Sequence, residues 1–357
     1  MDPPHVVYMG QYDPEYDRNA IIRQGLEAQD IRITECRIGK EYMRWGQYAA
    51  MLRLCRRVSR PDAVILAEFN PFLAPLARLL AWYWQTRFIF DPLVSRYETT
   101  VCDRQIVSPH SWRAHRLWLQ DWLAFHLAYA LLADTHQHRL YYAQAFGLRK
   151  EKTFVVPVGA RTDVFYPRPR SDEEGFQVLF WGTYIPLQGV KWIVRAAHLL
   201  RHERRIRWMF IGSGQTYQDI RRESEWLALS HVRFVDQRIP RDALAQAIAR
   251  ADITLGVFGQ TPKAQRVVPN KVYQGLAMAK PVITGDSPAV REFFTPGEHL
   301  HTVPMADPEA LAQAILCLVR DEEYRCHLAQ QGYEHFQAHF TPKHIGRRVK
   351  DVLEQLV

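Results

Sequence analysis

Lys271 follows Asn270 at the start of a short helical pattern in which Val272, Leu276 and Ala279 recur at helical spacing. The apolar run Val282-Ile283-Thr284 comes next, and then the turn Gly285-Asp286-Ser287-Pro288. Pro269 to Glu292 thus reads as helix, buried strand and a loop feeding another helix, where backbone N–H groups gather to meet an anion. An ordinary α/β packing unit would show the same pattern. Gly212-Ser213-Gly214 after an apolar run would let backbone approach a phosphate closely. On its own it is common turn chemistry, without the full G-x-G-x-x-G pattern. The loop Gly182 to Gly189 has the same ambiguity. Marked strand ends at 182, 212 and 285 together point to a nucleotide or sugar-phosphate site.

In the first half, Gly10 and Asp91 fall at the carboxyl ends of apolar runs. A carboxylate there can orient a sugar or accept a proton, yet aspartate before proline is also plain turn chemistry. Arg96 and Tyr97 lie nearby, and Arg18 and Asn19 open the first helix after the Gly10 loop; these four are acceptor candidates. His126 and His136 read as surface or core residues.

The elements that must position these groups alternate along the chain. Strands are expected at 5–9, 31–36, 63–66, 88–90, 131–134 and 153–158, with helices from Arg18, over 42–58 and over 71–84. A loop, Ser95 to Pro109, precedes a helical pattern from Ser111 to Leu132 bearing Trp112, Leu119, Trp122, Leu123, His126 and Leu127. That helix suits either a core position or, through Trp112, Arg113, Arg116 and Trp118, a membrane surface. The run 166–175, with its prolines and charges, reads as a linker. Strands then resume at 176–181, 206–211, 232–235, 253–257 and 282–284, and the tail reads as helices over 308–320, 322–339 and 342–356. Such alternation predicts α/β domains with parallel sheets covered on both faces.

A chain of 357 residues with 47% apolar and 24% charged residues has material for two soluble cores. No apolar run reaches the roughly 18 residues of a spanning helix, and the N-terminus lacks signal-peptide regions, so a cytoplasmic location is expected. Cys36, Cys55, Cys102, Cys317 and Cys326 form no C-x-x-C pair and read as buried thiols, with neither disulfide framework nor zinc site. The net charge of +8 suits phosphate or anionic lipid. No nucleic-acid-binding signature accompanies it.

The runs VLFWGTYIPLQGVKWIVRAAHLL, WMFIGSG, VRFVDQRIPRDALAQAIARADITLGVF and VPNKVYQGLAMAKPVITGDSPAVREFF resemble, in order and spacing, the nucleotide-sugar-binding domain of GT-B glycosyltransferases of the family-4-like group. ADTHQHRLYYAQAFGL and VVPVGARTDVFYP resemble the partner domain more loosely. The resemblance implies a GT-B fold, two Rossmann-like doubly wound α/β domains facing a cleft, over 1–165 and 166–340, with a helix over 341–357 crossing back to the first. It implies a retaining, metal-independent transfer in glycan biosynthesis, from a nucleotide-diphosphate sugar to a sugar, glycolipid or small-molecule hydroxyl. No cofactor is implied.

By the same resemblance, Asp91 and Lys271 stand at the catalytic centre, Asp91 where the family often has a histidine. Gly182, Thr183, Gln188, Gly189, Gly212, Gly214, Arg266, Asn270 and Gln274 bind donor, and Gly10, Arg18, Asn19, Arg96 and Tyr97 bind acceptor. Arg266 and Gln274 occupy the family's two E-x7-E positions, and Thr183 and Gln188 match its phosphate-binding Arg and Lys. Gln274 can still bond a ribose hydroxyl, and Arg266 can bind phosphate. The missing charges leave an alternative expectation, a catalytically degenerate GT-B protein acting as a binding or scaffold partner.

Overall fold

The computed structural model describes residues 3–39, 41–169 and 175–356. The chain divides into two compact units, Met1–Gly159 with Phe340–Val357, and Ala160–His339. Residues 170–174 of the linker expected over 166–175 lie outside the described residues.

In the first unit β1 (His5–Gly10), α1 (Asp17–Glu27), β2 (Arg32–Arg37), α2 (Arg44–Cys55), β3 (Ala63–Leu66), α3 (Ala74–Tyr83) and β4 (Arg87–Phe90) alternate strictly. A π-helical turn, Glu98–Asp103, precedes α4 (Trp112–Leu127), β5 (Ala130–Ala133), α5 (His136–Phe146) and β6 (Thr153–Val155). The strands pair in parallel in the order β2-β1-β3-β4-β5-β6. Side chains alternate across the pleat. Val7, Met9, Val64 and Phe90 meet α2, α3, α4 and α5 on one face. Val6, Tyr8, Ile65 and Ile89 meet α1 and the chain's last helix on the other.

The second unit runs β7 (Phe176–Trp181), α6 (Val190–Leu199), β8 (Ile206–Ile211), α7 (Tyr217–Trp226), β9 (Val232–Val235), α8 (Arg241–Arg250) and β10 (Ile253–Leu255). It continues through α9 (Asn270–Ala277), β11 (Val282–Gly285), α10 (Pro288–Arg291), β12 (His301–Val303), α11 (Pro308–Arg320) and α12 (Glu322–His339). Its parallel sheet has the order β12-β11-β10-β7-β8-β9. Counted from β7, that is the dinucleotide-binding order 3-2-1-4-5-6 read backwards, with its switch point between β7 and β10. Finally α13 (Pro342–Leu356) packs its Ile345, Val349, Val352 and Leu353 onto α1 in the first unit.

Three expectations need correction. β12 adds a strand between the last expected one, at 282–284, and the helices expected from 308, because three residues leave too short a run for a period to show. The helical pattern from Ser111 stops at Leu127, and of the core residues expected on it Trp112, Leu119 and Leu123 are exposed; Leu117, Ala124 and Phe125 pack inward instead. Cys36 and Cys55 are buried, but Cys317 and Cys326 are exposed on the outer sides of α11 and α12.

Candidate functional site

In the second unit the loops after β7, β8 and β10 converge with the start of α9 at the switch point, where parallel α/β sheets bind ligands. The β7 loop bends through Gly182 (φ +145°) and a short 3-10 turn, Pro186–Gln188. It is tied to the β8 loop by Tyr184 N donating to Ser213 O at 3.0 Å, and to the β10 loop by Phe258 N donating to Gln188 O at 3.1 Å. A side chain at Gly182 would put its Cβ 3.0 Å from Lys271 Nζ, so the glycine keeps the space in front of that ammonium open. Gly212 lies against the Gly182 carbonyl and Gly214 against the Tyr184 backbone. Gly189 is left-handed, pressed on Phe258 and Gly259.

Lys271 is the centre of this arrangement. Its side chain is only 5% exposed, its Nζ donates to Gln188 Oε1 at 2.5 Å, and it sits 3.8 Å from the Phe180 ring centroid. Among the described residues no carboxylate pairs with it, and burial pushes its pKa well below the ordinary lysine range. A lysine buried without an anion is costly unless one arrives. α9 begins at Asn270 after Pro269, and no side chain caps its first turn, leaving its N–H groups to an incoming anion.

Beside Lys271 on α9, Gln274 is buried and its Oε1 accepts from Trp181 Nε1 at 2.8 Å. Arg266 ends the 3-10 turn Pro262–Gln265 and is half-buried, while Thr183 is exposed. Lys191 is exposed over Trp192. The third marked strand end does not join this cluster as an anion site. α10 has four residues, Ser287 Oγ caps it by accepting from Val290 N at 3.2 Å, and Asp286 is held by Arg291 at 2.7 Å.

The first unit gathers a different set of groups. Arg18 donates to both Asp91 oxygens, at 2.8 and 3.2 Å, and its Nη1 donates to the carbonyls of Val156 and Pro157, both at 2.8 Å. Both side chains are wholly buried, so the structure places these two expected site residues in one ion pair beneath the strand ends. Asn19 donates to Glu68 Oε1 at 2.7 Å and accepts from Tyr8 OH at 2.8 Å. Gly10 lies at the β1/β3 switch point against Asn70, which takes a bond from Gln11 N at 2.9 Å. Arg96 and Tyr97 are half-buried, and Tyr97 N donates to Asp121 at 2.9 Å.

Four polar residues of this unit, Glu68, Glu98, Asp134 and His138, were not among the expected site residues. Glu68 follows β3, and burial, then the nearby Asp91 charge, pushes its carboxyl up to about 8. Its position after the apolar run AVILA was the available signal. His138 is buried between Asp134 and Glu98, 3.4 Å from the latter. Burial alone would lower its pKa, but the two carboxylates lift it to about 9. Asp134 and His138, four apart at a strand–helix junction, were visible as a pair; Glu98, in the π-helical turn, was not.

Residues 5–159 match the family described as glycosyl transferase 4-like domain, and residues 175–321 match glycosyl transferases group 1. No curated protein sequence matches the chain. Among solved structures, Anabaena Alr3699/HepE in complex with UDP-glucose is 14% identical with a TM-score of 0.73, covering 99% of this chain and 100% of its own. Sucrose-phosphate synthase from Thermosynechococcus elongatus is 16% identical with a TM-score of 0.75, covering 99% of both chains. A glycosyltransferase from Rickettsia africae ESF-5 is 12% identical with a TM-score of 0.68, covering 100% of this chain and 99% of its own. At these identities the likeness is one of fold, and it agrees with the two parallel sheets above. With both halves matched in order, the chain belongs to the group 1, family-4-like glycosyltransferases of the GT-B fold.

Proposed function

We propose that this glycosyltransferase moves a sugar from a nucleotide-diphosphate donor to a hydroxyl of a sugar, glycolipid or small molecule, with retention and without a metal ion. The observation that carries the donor half is Lys271, a buried ammonium with no carboxylate, facing the Gly182 turn and the uncapped start of α9. A diphosphate supplies the missing anion. As the sugar–phosphate bond breaks, negative charge grows on the leaving diphosphate, and Lys271 with the backbone N–H groups of Gly214 and Asn270 stabilises it, while Gly182 and Gly212, whose own N–H groups donate to Ile211 O and Val235 O, both at 2.9 Å, let the chain approach the phosphates closely. Gln188 holds the ammonium in place, Gly189 shapes its loop, Arg266 and Thr183 line the phosphate side, and Gln274 meets the ribose. The structure of Alr3699/HepE with UDP-glucose supports UDP-glucose as the first donor to try.

On the acceptor side the reading keeps Gly10, Asn19, Arg96 and Tyr97 as contacts. Arg18 and Asp91, bonded to each other, serve by holding the end of β4 in place. A cytoplasmic location and a role in glycan biosynthesis belong to the same proposal.

Titration calorimetry with UDP and UDP-glucose tests it. Wild type binds, Lys271→Ala weakens binding roughly 10- to 100-fold, as expected for loss of a charge-assisted bond, and added EDTA changes neither binding nor transfer. Lys271→Ala binding as tightly as wild type would sink the donor assignment. Loss of transfer in EDTA would sink metal independence.

A further inference from the structure

The outer layer formed by α2, α3 and α4 differs from the rest of the described surface. The three helices cover the same face of the first sheet, sending Met51, Leu80 and Phe125 into one core, and α3 packs against α4. Outward, Met43 and Trp45 at the start of α2 are 86% and 79% exposed, Trp82 at the end of α3 is 70%, and Trp112 at the start of α4 is 79%. Arg53, Arg56, Arg57, Arg78, Arg113 and Arg116 are exposed among them. The only carboxylate in these helices is Asp121, which is buried and takes a bond from Ser95 Oγ at 2.7 Å. In the second unit, by contrast, the exposed large apolar residues among those described are only Tyr166, Leu199 and Trp226.

Single exposed apolar residues are normal. Indoles standing in water on three adjoining helices, interleaved with arginines and free of exposed acid, are a different composition. Tryptophan and arginine together suit the headgroup region of a bilayer, which takes the ring's apolar body and solvates its N–H. The positive charges are spread over three helices rather than gathered in one pocket, which fits the diffuse negative potential of a lipid surface better than a single acidic peptide. No helix among the described residues is long and apolar enough to cross a membrane.

We propose that the α2–α3–α4 layer of the first unit docks the protein peripherally on an anionic bilayer. Flotation of the full chain with phosphatidylcholine vesicles, with and without phosphatidylglycerol, tests this. At low salt the protein floats with the anionic vesicles only, and its tryptophan emission shifts to the blue. Each of Arg53→Gln, Arg57→Gln and Arg113→Gln lowers partitioning about fivefold, and Trp45→Ala with Trp82→Ala abolishes most of the emission shift. Since all five positions are exposed, the variants keep the wild-type melting temperature and UDP affinity. Equal flotation with neutral vesicles, no flotation at low salt, or binding indifferent to the arginine changes would overturn the proposal. So would a concentration-dependent dimer, removed by the same substitutions, in place of vesicle binding.

Discussion

Lys271 sets a pH dependence that distinguishes a ligand-seeking lysine from a merely buried one. Without ligand, burial favours the neutral amine, so the folded-state pKa lies well below the ordinary value. A bound diphosphate favours the ammonium and raises that pKa again. Donor binding therefore takes up a proton, and affinity falls as pH rises above the ligand-free pKa. Calorimetry with UDP in buffers of different ionisation enthalpy reads this as a buffer-dependent heat, which Lys271→Ala loses. Asp91 invites a contrasting test. Because it is the wholly buried partner of Arg18, Asp91→Ala strands a guanidinium in the core and lowers stability by about 3–5 kcal/mol in denaturant titration. Pairing Asp91→Leu with Arg18→Met recovers most of that loss. If Asp91 also touches the reacting atoms, the paired variant regains stability but not kcat.

At the scale of elements, the α1–α13 crossing is the tightest test of the packing. Gly25 and Gly346 face each other so closely that a Cβ on Gly346 would strike the Gly25 backbone. Neither atom is the end of a flexible side chain, so the helices must separate. Gly346→Ala is expected to destabilise the first unit by about 1–3 kcal/mol, read as a lower melting temperature with UDP affinity unchanged. Nothing in the sequence pairs these two glycines, which stand in helices at opposite ends of the chain. The same limit applies to Arg18 and Asp91, 73 residues apart: their types and places at element ends were legible, their partnership was not. Local signals did better. The strand–helix alternation is written in short apolar runs and glycine or proline breaks, and the helix start at Asn270-Lys271 is where the sequence put it. The π-helical turn Glu98–Asp103 has no period that a sequence displays, so it read as loop.

For the whole molecule, the decisive feature is that the first unit is built from both ends of the chain while the second is continuous. α13 supplies Ile345, Val349, Val352 and Leu353 to the core between α1 and the first sheet. Burying each such side chain contributes roughly 1.5–3 kcal/mol, as an upper estimate. Their sum rivals the 5–15 kcal/mol, in round terms, that holds a typical domain folded. Ending the chain after His339 therefore exposes Ile21, Ile22 and Leu26 on α1 and unfolds the first unit. The second unit keeps its sheet, Lys271 and the loops around it, because all of these lie within Ala160–His339. Hydrogen exchange on the truncated chain should show fast exchange across β1, β3 and β4, with β7, β8 and β10 still protected. UDP should slow exchange in the Gly182 loop and at the start of α9, while transfer is lost. Protection persisting in β1 would mean that α13 is dispensable to the first unit; loss of the UDP effect would mean that donor binding needs more than the second unit's own residues.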